Sequence, residues 1–173
     1  MMSSAIPMRV ILISLAALAI IPPATAEAQY KRIELKILGM DCAICAHGVK
    51  VAVQKVDGVE SVRLSLERAE ADIRLKPENR VSLDQFRRIV KGNGFDPRDA
   101  KVTLNGSVRK NGATLTCEVP GTTAPLLIST DGSAPAAYKQ LESSAASGAP
   151  IEISGTVERL PDGRDSLKVA SAR

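Results

Sequence analysis

The chain has 173 residues, a formal net charge of +4 at pH 7, and 45% hydrophobic but only 2% aromatic residues. Basic and acidic residues alternate instead of forming a basic stripe, and with no Trp, two Tyr and two Phe there are few platforms for base stacking, which argues against nucleic-acid binding. A modest core of Val, Leu, Ile and Ala is the most such a chain supports, and three cysteines are an odd number that no closed disulfide framework absorbs.

Residues 1–26 read as a cleavable export signal. Arg9 supplies a positive start, Val10 to Ile21 is an apolar run with Ser14 its one polar residue, Pro22-Pro23 ends it, and Ala24-Thr25-Ala26 offers a small-x-small cleavage pattern. Met8 is an alternative start that leaves a conventional short positive region. The apolar run is shorter than the ~20 residues a spanning helix needs, so an uncleaved anchor is the weaker alternative. The cleavage site has no cysteine to carry a lipid. A signal of this kind implies a periplasmic or secreted protein with no membrane span in the mature chain. The remainder, 27–173, fits one medium domain or two small ones.

Ile33, Leu35 and Ile37 alternate with charged or polar neighbours and predict a half-buried strand over Lys31 to Leu38. From Ala43 the period changes: Cys45, Val49, Ala52, Val53 and Val56 fall on one helical face, and Asp57-Gly58 stops the helix. Val62, Leu64 and Leu66 alternate again, Arg68-Ala69-Glu70 makes a turn, and Ala71, Ile73 and Leu75 form the returning strand. Pro77 breaks that run. Ser82 followed by Gln85 resembles a capping box, opening a helix with Leu83, Phe86, Ile89 and Val90 on its apolar face. Gly92 and Gly94 end it, and a last strand runs around Ala100 to Leu104. The order is strand-helix-strand-strand-helix-strand, the α+β arrangement called ferredoxin-like, with two helices on one face of the sheet.

Between the first strand and the first helix lies Gly39-Met40-Asp41-Cys42-Ala43-Ile44-Cys45. Two thiols three positions apart at a helix start converge on one point, which holds a soft metal ion or closes as a disulfide. The helix start favours the thiolate of Cys42, because unpaired backbone N–H groups and the dipole attract negative charge. Two thiolates with no obligatory further ligand suit one soft ion, Cu(I) or Hg(II) in preference; Zn(II) or Cd(II) remains open but wants more donors. Asp41 is either a third, harder ligand that favours a divalent ion or simply the N-cap of the helix. A redox pair is the rival for Cys42 and Cys45. It lacks a Trp before the motif, a Pro inside it and a long α/β chain around it. His47, about 200° around the helix from Cys45, reads as a surface residue. Lys50, Lys55, Arg87, Arg88 and Lys91 read as a solvated face able to orient an acidic partner.

Gly39-Met40-x-Cys42-x-x-Cys45, then Val56-x-Gly58-Val59, then Gly94-Phe95 after the second helix, resemble the heavy-metal-associated domain family of copper chaperones, amino-terminal domains of metal-transporting ATPases and periplasmic mercury-binding proteins. The resemblance spans 31–104. It implies a ferredoxin-like fold that binds one soft ion through the thiolates of Cys42 and Cys45, with Met40 anchoring the loop in the core and Phe95 shielding it. At position 41 the family most often carries Thr or Ser, whereas Asp41 is similar to zinc- and cadmium-exporting ATPases, in which the carboxylate joins the site. The resemblance also implies a metal-transporting membrane protein or another metal carrier as partner.

Residues 102–109 and 151–158 echo one another as apolar-x-apolar-x-Gly-hydroxyl-Val-charged. Each is followed by a turn, Asn111-Gly112 or Pro161-Asp162-Gly163, and by another alternating strand, Leu115/Cys117/Val119 or Leu167/Val169. Leu126-Leu127-Ile128 and a short helix around Ala136 to Ala146 lie between. Five short strands, a helix between the third and fourth, and glycine bulges in the first and fourth resemble a small OB-type barrel over 105–173. Val102 and Leu104 are claimed by both units, so either one long strand serves both or the first unit has a very short final strand. Cys117 alternates with Leu115 and Val119 on an apolar face and reads as core. With no carboxylate pair, Ser-His-Asp set or phosphate loop, the expectation is no enzyme. The chain reads as an exported, monomeric heavy-metal-binding protein that captures a soft ion for transfer or sequestration, the alternative being a periplasmic thiol-disulfide protein using the same pair.

Overall fold

A computed structural model describes residues 29–119, 122 and 124–173. The expected export segment, 1–26, lies outside the described residues. Alternation of buried and exposed side chains makes β1 (Gln29–Leu38), with Ile33, Leu35 and Ile37 turned inward, starting two residues earlier than expected. α1 (Ala43–Gln54) follows, then the hairpin β2 (Val59–Ser65) and β3 (Glu70–Leu75), α2 (Leu83–Gly92) and β4 (Asp96–Gly106). Leu66 belongs to the turn rather than to β2 and is exposed. β1 sits between β3 and β4, antiparallel to both, and β2 closes that side of the sheet. α1 packs on β2, and α2 packs on β4. This is the ferredoxin-like order of strands and helices.

Two helix faces differ from expectation. The buried residues of α1 are Ala46, Val49 and Val53, whereas Cys45 is exposed and Ala52 half-buried. The 3.6-residue period places Ala46, one position past Cys45, in line with Val49 and Val53, and that rotation turns the thiol outward. In α2 the inward set is Leu83, Phe86, Arg87 and Val90, with Ile89 half-buried. Arg87 therefore leaves the solvated basic face to which the sequence assigned it. Ser82 caps α2 as expected, its hydroxyl accepting the N–H of Gln85 at 3.3 Å.

The strand claimed by both halves is one long strand. β4 pairs β1 from Leu38↔Asp96 to Gln29↔Asn105 and, on its other edge, pairs β8 (Ile151–Arg159) from Ala100↔Val157 to Gly106↔Ile151. An edge between 104 and 105 falls inside β4. Beyond it come β5 (Val108–Asn111), β6 (Thr114–Cys117), β7 (Leu126–Ser129), α3 (Pro135–Ser147), β8 and β9 (Asp165–Ala172). The whole sheet runs β2-β3-β1-β4-β8-β9-β7-β6-β5. All neighbours are antiparallel except β7 and β9, which are parallel. Its last member, β5, is separated from β4 by Ser107 alone, so the β4-to-β5 half of the ladder begins and ends on one stretch of chain.

Gly155 is fixed by close approach: a Cβ there would stand 2.3 Å from the Lys168 carbonyl oxygen and 2.9 Å from Leu167 Cδ1. The β8–β9 register shifts between Ser154 and Gly155, so only a residue without a side chain lets the strands bend together at that point. The buried apolar residues form one cluster reaching from Tyr30 and Ile33 through Val102 and Leu104 to Leu167 and Ala172. A single core thus serves both halves. At their junction, Nη1 of Arg87 donates to Asp165 at 2.8 Å and to Asp84 at 3.3 Å, and Arg159 pairs with the same two acids. Arg87 is only 7% exposed, so these bonds are shielded from solvent.

Candidate metal site

β1 ends at Leu38, and Gly39 turns the chain with φ of +81°, a left-handed conformation that side chains with a Cβ resist. Met40 then drops into the core at 3% exposure and pins the loop from below. Asp41 stays exposed, its N–H donating to the Gly39 carbonyl at 3.1 Å. Cys42 is the N-cap of α1, extended at φ −110° and ψ 123°, and its carbonyl accepts the first helical bond from Ala46 N–H at 2.9 Å. The alternative that made Asp41 the cap is therefore corrected: the capping atom is Sγ of Cys42, which accepts the N–H of Cys45 at 3.4 Å. A sulfur in that place does for the first turn what a Ser or Asp oxygen ordinarily does.

Because Ala46, Val49 and Val53 hold α1 against the sheet, its first turn projects from the end, and both thiols are exposed and free. Hydrogen bonding from Cys45, first through its thiol and then through its backbone N–H, holds the Cys42 thiol below its ordinary range. The same sulfur–sulfur hydrogen bond pushes Cys45 up. As a pair, the two thiols thus give up their first proton more readily than a lone thiol and their second less readily. Among the described residues no group of three or more His, Cys, Asp or Glu side chains is placed to hold a metal ion, and Asp41 and His47 are both exposed.

The pairing Leu38↔Asp96 brings the α2–β4 turn beside the loop, and Phe95 Cδ1 lies 4.0 Å from where a Gly39 Cβ would stand. Phe95 is half-buried there, as the resemblance implied. Ile44, between the two cysteines, is 84% exposed, and Leu38 is exposed as well. Leu38 and Ile44 thus add exposed apolar surface beside the thiols, and Asp41 adds the carboxylate adjacent to Cys42. A two-sulfur set of this kind favours soft ions of low coordination number and leaves a four-coordinate ion short of donors.

Comparison with known proteins gives the same region. The profile described as "Heavy-metal-associated domain" matches residues 34–96, which include Met40, Cys42, Cys45 and Phe95. The chain is 31% identical to the copper chaperone CopZ of Staphylococcus haemolyticus over 62 residues, covering 90% of that protein and 36% of this chain. This chain belongs to the heavy-metal-associated domain family. A heavy-metal-associated segment also aligns with a probable copper-exporting P-type ATPase of Archaeoglobus fulgidus, 30% identical over 74 residues, 43% of this chain. That alignment spans only 9% of the ATPase's length. Among solved structures, the yeast copper transporter domain CCC2A matches at 25% identity and a TM-score of 0.36, over 40% of this chain and 92% of that one. The residues from 97 onward lie outside the family match.

One feature had no local signal in the sequence. Asp84 and Arg87 are three apart on a helix and foreseeable as a pair, but Asp165 is 78 positions from Arg87, and only the fold brings them together.

Proposed function

We propose that this chain is an exported carrier that captures one soft metal ion between the thiolates of Cys42 and Cys45 and passes it on by ligand exchange or sequesters it. The observation that carries the reading is the pair of free, exposed thiols at the start of α1, one already biased toward thiolate by the other. Family membership and the names of the relatives, copper chaperones and a copper-exporting ATPase, support Cu(I) as the first cargo to test, ahead of Hg(II), Zn(II) and Cd(II). The ligand set proposed is Cys42 and Cys45 alone. The partner is a metal-transporting membrane protein or another carrier, to which exposed sulfurs offer themselves for a shared-ligand intermediate. Among the described residues no helix is long and apolar enough to cross a membrane. The amino-terminal pattern Arg9, Val10 to Ile21 and Ala24-Thr25-Ala26 supports export to the periplasm or beyond.

The carboxy-terminal part, 105–173, is proposed as a small OB-type barrel fused to the metal domain. Its support is the ladder that returns from β4 to β5, the parallel β7–β9 pair, and the helix α3 between β7 and β8.

Anaerobic titration of the reduced full chain with each ion, with thiols counted before and after, tests the reading. One equivalent of Cu(I) is expected to bind, with two of the three thiols protected. The Cys42→Ser, Cys45→Ser variant is expected to lose that binding. Steady turnover in a disulfide-reduction assay without stoichiometric uptake of any thiophilic ion would overturn the proposal in favour of a redox pair.

A further inference from the structure

A cleft of about 640 Å³ opens between α2, the first residues of β4 and the turn joining β8 to β9. Five cations line it, Arg87, Arg88, Lys91, Arg98 and Arg159, against the carboxylates of Asp84 and Asp99. Arg87 and Arg159 are committed to Asp84 and Asp165, and Arg98 pairs with Asp96. Arg88 and Lys91 are exposed and have no ionic partner among the described residues.

The position of the cleft follows from the sheet order. α1 packs on β2 and α2 on β4, while β8 lies on the far side of β4 from β1. The cleft is therefore on the flank of α2 that faces away from α1. Its β4 residues begin at Pro97, which pairs with Ile37, two residues before the Gly39 turn that leads to the thiols. The far wall is held in place: Leu160 N–H donates to Arg164 O at 2.8 Å, Arg159 Nη1 to Gly163 O at 2.6 Å, and Arg87 ties β9 to α2. A wall fixed before binding costs little ordering entropy when a ligand arrives.

We propose that this cleft docks an acidic segment of a protein partner, with the β8–β9 turn of the appended part as its second wall. Its free positive charges, Arg88 and Lys91, lie one turn apart on α2, with Asp99 the one lining carboxylate without an ionic partner among the described residues. A chain with carboxylates spaced along it therefore meets both cations where a single small anion meets one. Leu160, Pro161 and Pro97 add apolar contact for the aliphatic stems of such a segment. A segment seated there lies next to the strand end that carries the Cys loop. The appended part, which lies outside the heavy-metal-associated match, thereby acquires a role in choosing the partner.

The proposal does not need the thiols, so its failure and that of the metal reading are distinguishable. The test uses the full chain carrying Cys42→Ser and Cys45→Ser, titrated into a fluorescein-labelled octaglutamate peptide at low ionic strength and followed by anisotropy. Saturable binding is expected that weakens as salt is raised. Arg88→Glu with Lys91→Glu is expected to weaken it at least ~10-fold, and Pro161→Glu, on the other wall, about 3-fold. The same charge change on α1, Lys50→Glu with Lys55→Glu, is expected to alter it less than about 2-fold. Unchanged thermal melts verify that each variant is folded. No saturable binding, equal loss in the α1 control, or tripolyphosphate displacing the label at lower concentration than unlabelled octaglutamate would each overturn the proposal.

Discussion

Cys42 and Cys117 carry the same thiol into opposite surroundings. Cys42 caps an exposed helix start, where the neighbouring Cys45 thiol and the Cys45 N–H, 3.4 Å from its sulfur, hold it toward thiolate. Cys117 ends β6 at 0% exposure, paired in register with Val108 and Leu126, and burial pushes its thiol up to about 12, with Glu118 adding to the rise. Residue type is identical, so the reactivity of each sulfur is set by the hydrogen-bond donors and the solvent it meets. The loop that presents Cys42 depends on Met40 reaching down into the core. The strand that hides Cys117 also carries the fully buried Leu115, and α3 packs against it.

The largest test of that contrast is alkylation of the folded apo chain with iodoacetamide, followed residue by residue by mass spectrometry. The gap between the ordinary 9.0 and about 12 cuts the thiolate fraction of Cys117 roughly a thousandfold, before any cost of opening the core. Cys42 is expected to be labelled at least that much faster. Comparable rates at the two sites would show that β6 does not bury its thiol.

Stability against pH gives the next largest effect. In the unfolded chain Cys117 ionises near 9, whereas in the fold it holds its proton to about 12, so between these values the unfolded state binds fewer protons than the native one. Its contribution to stability is full below pH 9 and is lost as pH rises toward 12, by at most about 1.4 kcal/mol per pH unit. Urea unfolding of the parent and of Cys117→Ala across that range should show a steeper decline in the parent. Parallel slopes would remove Cys117 from the account.

Smaller again is the serine comparison. Cys117→Ser buries a hydroxyl among apolar neighbours and is expected to cost ~1–3 kcal/mol in chemical denaturation. Cys42→Ser replaces one capping acceptor by a better one, so its stability is expected to stay within about 0.5 kcal/mol of the parent. A large loss at position 42 would mean that the sulfur stabilises the loop in some way beyond capping.

Much of this was legible in the residues. Alternation at Ile33, Leu35 and Ile37, the Ser82/Gln85 start of α2 and the turn glycines locate the elements of the first half, because those signals are local and the periods of strand and helix differ. The Cys-x-x-Cys pair and the roles of Met40 and Phe95 were legible for the same reason, as neighbours in sequence or parts of one known pattern. The miss at Asp41 was one of degeneracy: Asp41 and Cys42 are adjacent and both able to cap, and only the backbone at Cys42, extended at the helix entrance, decides between them. The misassigned face of α1 had a similar origin, since one residue of rotation separates Cys45 from Ala46.

By itself, then, the sequence determined which segments become strands and helices and which two sulfurs stand together, since each depends on contacts within a few residues. Tertiary structure alone decided that β4 serves both halves, that Arg87 leaves the surface to meet Asp165, and that the β8–β9 turn builds a basic cleft beside α2. Those outcomes require segments far apart in the chain to share one sheet and one core, and no local period or propensity encodes such meetings.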